Sequence, residues 1–191
     1  MLTLLAALTA SPQAVPAPAD LSAMVALYEE VCLKTFPIDE QIDALMAKKG
    51  AKPLAPDDVK VSLGSDPGRG WAVQIGDDIF NVLLELPPYH ACSVRAPRSL
   101  AGKIDAATYR PVYHAAVEAY KTGHRGFVAQ PAMDADRGGI RMHGETEMRP
   151  LPGGGGEVLI VIDQSISDPT KLAPGTTATP LRFVHQMKTG N

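Results

Sequence analysis

Ile140-Arg-Met-His-Gly-Glu-Thr-Glu-Met-Arg149 reads as one long β-strand with two unlike sides. Successive side chains of a strand point to opposite faces, so Ile140, Met142, Thr146 and Met148 share one side while Arg141, His143, Glu145, Glu147 and Arg149 share the other. Such alternation belongs to an antiparallel sheet and predicts one buried face, the Ile/Met side, and one charged face. Downstream, Val158 to Ile162 is apolar without alternation, as expected of a central strand covered on both sides. Leu181, Phe183, His185 and Met187 then alternate with Arg182 and Lys188, which predicts a final strand with His185 on its covered face. Leu151-Pro-Gly-Gly-Gly-Gly156 is a hairpin loop: it lacks the Lys-Ser/Thr of a phosphate-binding loop and precedes a strand where that motif precedes a helix.

Upstream, Trp71–Ile75 and Ile79–Leu86 flank Gly76-Asp-Asp78 as a hairpin, introduced by a turn at Asp66-Pro-Gly-Arg-Gly70. Pro87-Pro88 interrupts pairing because neither residue can donate to a ladder. The chain then resumes extended through Tyr89–Arg95. Three helices precede the first strand. Asp20 caps one whose buried stripe is Leu21, Met24, Val25, Tyr28, Val31 and Cys32; Ile38, Ile42, Leu45 and Met46 mark a second, closed by Gly50; Pro56–Leu63 is a short third. A later helix carries Tyr109, Val112, Tyr113, Ala116, Val117 and Tyr120 on its apolar stripe and ends at Gly123. Pro111 is tolerated only in a first turn, so the regular helix is expected to begin near Thr108, after a looser turn from Asp105.

Helices, strands, a helix and again strands give an α+β domain, with the N-terminal helices and the later helix packed on one face of an antiparallel sheet of about five strands. Profilin-like and PAS-like sheets have a similar element order, an analogy of fold that carries no function. Residues 20–191 are read as a single domain, long enough to bury a core unaided.

Residues 1–19 read as a signal peptide with a Pro/Ala-rich tail. The apolar run Met1–Ala10 leads to an Ala17-Pro-Ala19 cleavage signal, although no Lys or Arg precedes Lys34. Export would place the chain where disulfides persist. Its cysteines, Cys32 and Cys92, then admit one bridge, the alternative being two free thiols. With a formal net charge of -3 and scattered basic residues, the chain carries no footprint for nucleic acid and no polybasic membrane anchor. After the leader no apolar run is long enough to cross a bilayer.

Recognisable catalytic chemistry is missing. The five histidines fit no zinc spacing, no Gly-x-Ser-x-Gly elbow occurs, and no metal or cofactor is expected. His90 and Cys92 share a strand face, but a cysteine with one available partner in an exported chain is more often half of a disulfide than a nucleophile. His114, with Arg110, Glu118 and Lys121, is assigned to a solvated helix face, and His143 to cross-strand pairing. Trp71, Tyr89, His90, Arg95 and His185 remain as a candidate binding surface, with a core role the alternative for His185.

Cys32-Leu33 with Phe36-Pro37, Asp66-Pro-Gly-Arg-Gly-Trp71 and Pro87-Pro-Tyr-His-Ala-Cys-Ser-Val-Arg95 together give the chain a resemblance to a family of small, uncharacterised secreted or lipid-anchored proteins of Gram-negative bacteria. The resemblance covers roughly residues 28–96, and implies an envelope location, periplasmic or secreted, and pairing of the two cysteines. The expected role is that of a non-enzymatic binding or interaction module whose partner is another envelope protein or a small ligand. Alternatives are an envelope hydrolase acting near Trp71, His90 and Arg95, and an inhibitor or immunity-type partner.

Overall fold

The structure is a computed structural model that describes residues 19–173 and 178–188; the expected leader lies outside them apart from Ala19. It is α+β. Helix α1 (Ser22–Tyr28) runs on through a π-helical turn (Glu29–Leu33) and is followed by α2 (Asp39–Lys48) and α3 (Pro56–Leu63). A sheet then forms from β1 (Lys52–Pro53), β2 (Gly68–Ile75), β3 (Asp78–Glu85), β4 (Ala91–Arg95), β5 (Val128–Ala129), β6 (Met133–Arg137), β7 (Ile140–Pro150), β8 (Gly156–Ile166) and β9 (Leu181–Lys188), with α4 (Ala106–Gly123) between β4 and β5. Its order is β1-β2-β3-β4-β9-β8-β7-β5, with β6 also paired to β7, and every pairing is antiparallel. The expectation of about five strands is exceeded by the short edge strands β1, β5 and β6.

One face of the sheet carries the core. Val82, Leu84, Cys92, Val94, Leu159, Val161, Leu181 and Phe183 point up from the central strands, each no more than 2% exposed. They meet Met24, Val25, Tyr28 and Val31 of the first helix, Ile42 and Met46 of α2, and Tyr109, Tyr113 and Val117 of α4. Phe183 sits between Tyr28 and Tyr113, with ring centroids 5.4 and 4.8 Å away, which fixes how α1 and α4 lie against β9. The disulfide joins Cys32 to Cys92 with Cα atoms 5.4 Å apart, tying the first helix to β4.

Local differences from the sequence reading have physical causes. Helix α4 begins at Ala106, two residues earlier than expected, because Asp105 caps it by accepting from the Ala107 N–H. Pro111 therefore falls in the second turn, at the cost of one intrahelical hydrogen bond. Gly68 and Gly70 are strand residues, not turn residues. A Cβ at Gly70 would come 2.6 Å from Leu83 and 2.9 Å from Leu54, and one at Gly68 would come 2.3 Å from Leu63, so their bare backbone lets α3 settle on the second face of the sheet.

The largest correction concerns β7. Arg141, His143, Glu145, Glu147 and Arg149 lie on the side facing α4, opposite Ser165, Asp163, Val161, Leu159 and Glu157 of β8. Arg110 and His114 of α4 reach Glu145 at 3.1 and 3.2 Å, and Lys121 reaches Glu147 at 2.5 Å. The helix face expected to be solvated thus pairs with the strand. It is the Ile140, Met142, Thr146 and Met148 side that the described residues leave partly uncovered, Met148 being 45% exposed and the other three half-buried. Two-sidedness was predicted correctly and its sense inverted.

Candidate binding surfaces

Glu157 opens β8 and shares a face with Leu159 and Val161, so the alternation of the strand drives a carboxylate into the core, where it is 0% exposed. Its environment satisfies it. One oxygen accepts from the Tyr120 hydroxyl at 2.5 Å and from His185 Nε2 at 2.8 Å; the other accepts from the Arg149 guanidinium. Burial pushes this carboxyl up, but the hydrogen bonds from His185, Tyr120 and Arg149 outweigh it and hold the group down at about 2. His185 Nδ1 lies 2.6 Å from the Cys32 carbonyl. Both ring nitrogens of His185 are thus engaged, one by the Cys32 carbonyl and one by the Glu157 carboxylate. The network links α4, β7, β8, β9 and the disulfide-bearing turn. Above it opens a cleft of about 480 Å³ walled by Phe36, Pro37, His124 and Met187. Because each polar group on its floor is engaged by another, the network offers neither a free base nor a free nucleophile.

The five expected surface residues are not brought together. His90 and His185 flank Phe36, with ring centroids 4.7 and 5.0 Å from it, and His90 Nε2 is 2.8 Å from Asp39 Oδ1. His185 takes the core role that was its alternative. Trp71, 8% exposed, lies at a separate groove of about 820 Å³ between α3 and β2, where Arg69 spans it to form a two-pronged pair with Asp43 at 2.8 Å. This groove is larger, but the charges beside it neutralise one another. Tyr89 is 48% exposed, and its carbonyl accepts from Gln186. Arg95 points through the opposite face of the sheet.

That second face carries the arrangement that alternation alone did not reveal. Arg95 stands directly across from Arg182, and the next pair on the same face is Ser93 with Val184, continued by Ile160 and Thr146. Val184, Ile160 and Val158 are half-buried only, and Met133 and Val128 at the edge are 46% and 62% exposed. Neither arginine finds a carboxylate within ion-pair distance among the described residues. Arg95 donates to the Ser62 carbonyl at the C-terminal end of α3, at 3.2 Å, and the buried Nε atoms of both arginines have no partner among the described residues. Burial pushes the Arg95 guanidinium down to about 10, helped by the like charge of Arg182 and opposed by Glu85.

Among the described residues no group of three or more His, Cys, Asp or Glu is placed to hold a metal ion, and no helix is long and apolar enough to cross a membrane. Comparison with known proteins returned no match: no protein family, no curated protein and no solved structure is significantly similar to this chain.

Proposed function

We propose that this chain is an exported binding module of the bacterial envelope, stapled by its disulfide, which engages another envelope protein through the open face of β7, β8 and β9. The observation that carries this reading is the half-exposed apolar row of Val158, Ile160, Val184 and Met148, with Arg95 and Arg182 beside it. Contiguous apolar surface with a few unsatisfied charges is what a protein interface presents before its partner arrives. The face is cationic along its β4–β9 border, so the partner fitting it combines apolar side chains with an acidic group. A closed disulfide between buried cysteines suits an oxidising compartment and supports the envelope location. The hydrolase alternative gains no support, since Trp71, His90 and Arg95 stand at three separate places.

The test immobilises the chain from Asp20 onward, exposes it to solubilised envelope proteins, and rebuilds the complex from the purified retained species. Ile160→Asp, on the open face, should abolish retention, whereas Val112→Asp, 37% exposed on α4, should keep it. Equal retention by Ile160→Asp and the unmodified chain would overturn the proposal.

A further inference from the structure

Two guanidinium groups placed side by side repel each other and are costly to desolvate, so a fold that keeps them usually supplies a counterion. This one does not. Glu85, the carboxylate nearest in charge terms, is itself pushed up by burial and by neighbouring Asp66, and lies beyond ion-pair distance of both arginines. The side chain of Arg182 makes no hydrogen bond with any described group, and that of Arg95 makes only the one to the Ser62 carbonyl. The pair is nonetheless held firmly. β4 and β9 fix Arg95 opposite Arg182, α3 fixes Arg95 from above, and Ile162, 6% exposed, packs against Arg182 in the neighbouring strand.

We propose that Arg95 and Arg182 form a receiving site for one carboxylate of the partner protein, borne next to an apolar side chain. The fork of a guanidinium matches the two oxygens of a carboxylate, and two forks at one ladder position can take one oxyanion between them. The neighbouring residues set the rest of the ligand. Two residues along a strand is roughly 7 Å, the reach of an apolar side chain from its own carboxylate to Val184 and Ile160. This proposal rests on the reading of the open face as the working surface, and it assigns the charged element of that surface.

The probe is N-acetyl-phenylalanine, a carboxylate beside an apolar group, with its uncharged amide as control. Nitrogen-15 spectra of the arginine Nε–H groups and methyl spectra of Val184 and Ile160 follow the titration at constant ionic strength. The acid should shift both Nε–H signals and both methyl groups with saturation in the millimolar range. The amide should not, and Arg182→Gln should weaken binding at least about tenfold, the loss expected for a charge-assisted hydrogen bond. Arg95 also caps α3, so Arg182 is the residue to change. In the free protein Arg182→Met should raise the unfolding midpoint, because it removes an unpaired charge while keeping the packing. Equal shifts with acid and amide, unchanged binding in Arg182→Gln, or a lower midpoint in Arg182→Met would each overturn the proposal. Failure of the Ile160→Asp test alone would instead remove the partner surface and leave the anion site standing.

Discussion

Glu157 is held by Tyr120, Arg149 and His185 together, and removing its charge tests whether these interactions are structural. Glu157→Gln leaves Arg149 and His185 facing a neutral amide in a buried site, and should cost roughly 3–5 kcal/mol, as expected for breaking a buried pair from one side. Urea unfolding at neutral pH checks it. The pH dependence follows from the depressed carboxyl: its stabilisation is complete above the unfolded value of 4.5 and is lost as pH falls towards about 2. The Gln variant should therefore lose less stability than the unmodified chain between pH 4.5 and 2. His143 runs the other way. Its hydrogen bond from Nδ1 to Asp134 raises it above 6.5, so its smaller contribution is complete below that value and fades as pH rises through the elevated one. The place of His185 was legible because it continues the alternation of Leu181 and Phe183. Glu157 was not singled out, although it stands two residues before Leu159 in a run whose odd positions are all buried; a lone acid beside a glycine loop reads as loop.

At the scale of elements, β7 and the disulfide carry the sharpest expectations. Met148→Glu falls on the open face and should change stability by no more than about 0.5 kcal/mol, whereas Leu159→Ala, directly under the helices, should cost roughly 2–5 kcal/mol. Thermal unfolding of the two variants compares the faces. Replacing Cys32 and Cys92 by alanine opens a loop of 60 residues. It should lower stability by up to about 4 kcal/mol in the chain-entropy picture, measured as a shift in denaturant midpoint. The helices, the hairpin and the final strand were legible because each spans several periods of its pattern. β1 and β5 have two residues each and owe their pairing to their neighbours, so no local period could mark them. The sense of β7 was hidden for a different reason. Alternation distinguishes two faces but does not say which is covered, and here charges on α4 complement the charged side of the strand.

For the whole molecule, the consequence is a sheet with a core on one face and, on the other, a portion that the described residues leave partly uncovered. Helices α1, α2 and α4 pack on the first face, while α3 lies on the second at its β2 end and reaches Arg95 of β4. The open portion is bounded by the arginine pair at β4 and β9 and by the edge strands β5 and β6. This asymmetry underlies both proposals, since a covered second face would leave neither a partner surface nor a receptive arginine pair. The most direct measurement is solvent paramagnetic relaxation of methyl-labelled protein, using a soluble neutral gadolinium chelate. Methyl groups of Met142, Met148, Ile160 and Val184 should be strongly broadened, while those of Leu159, Val161 and Leu181 stay sharp. Protection of Met148, Ile160 and Val184 together with broadening of Leu159 and Val161 would contradict the account and restore the orientation that the alternation of β7 first indicated.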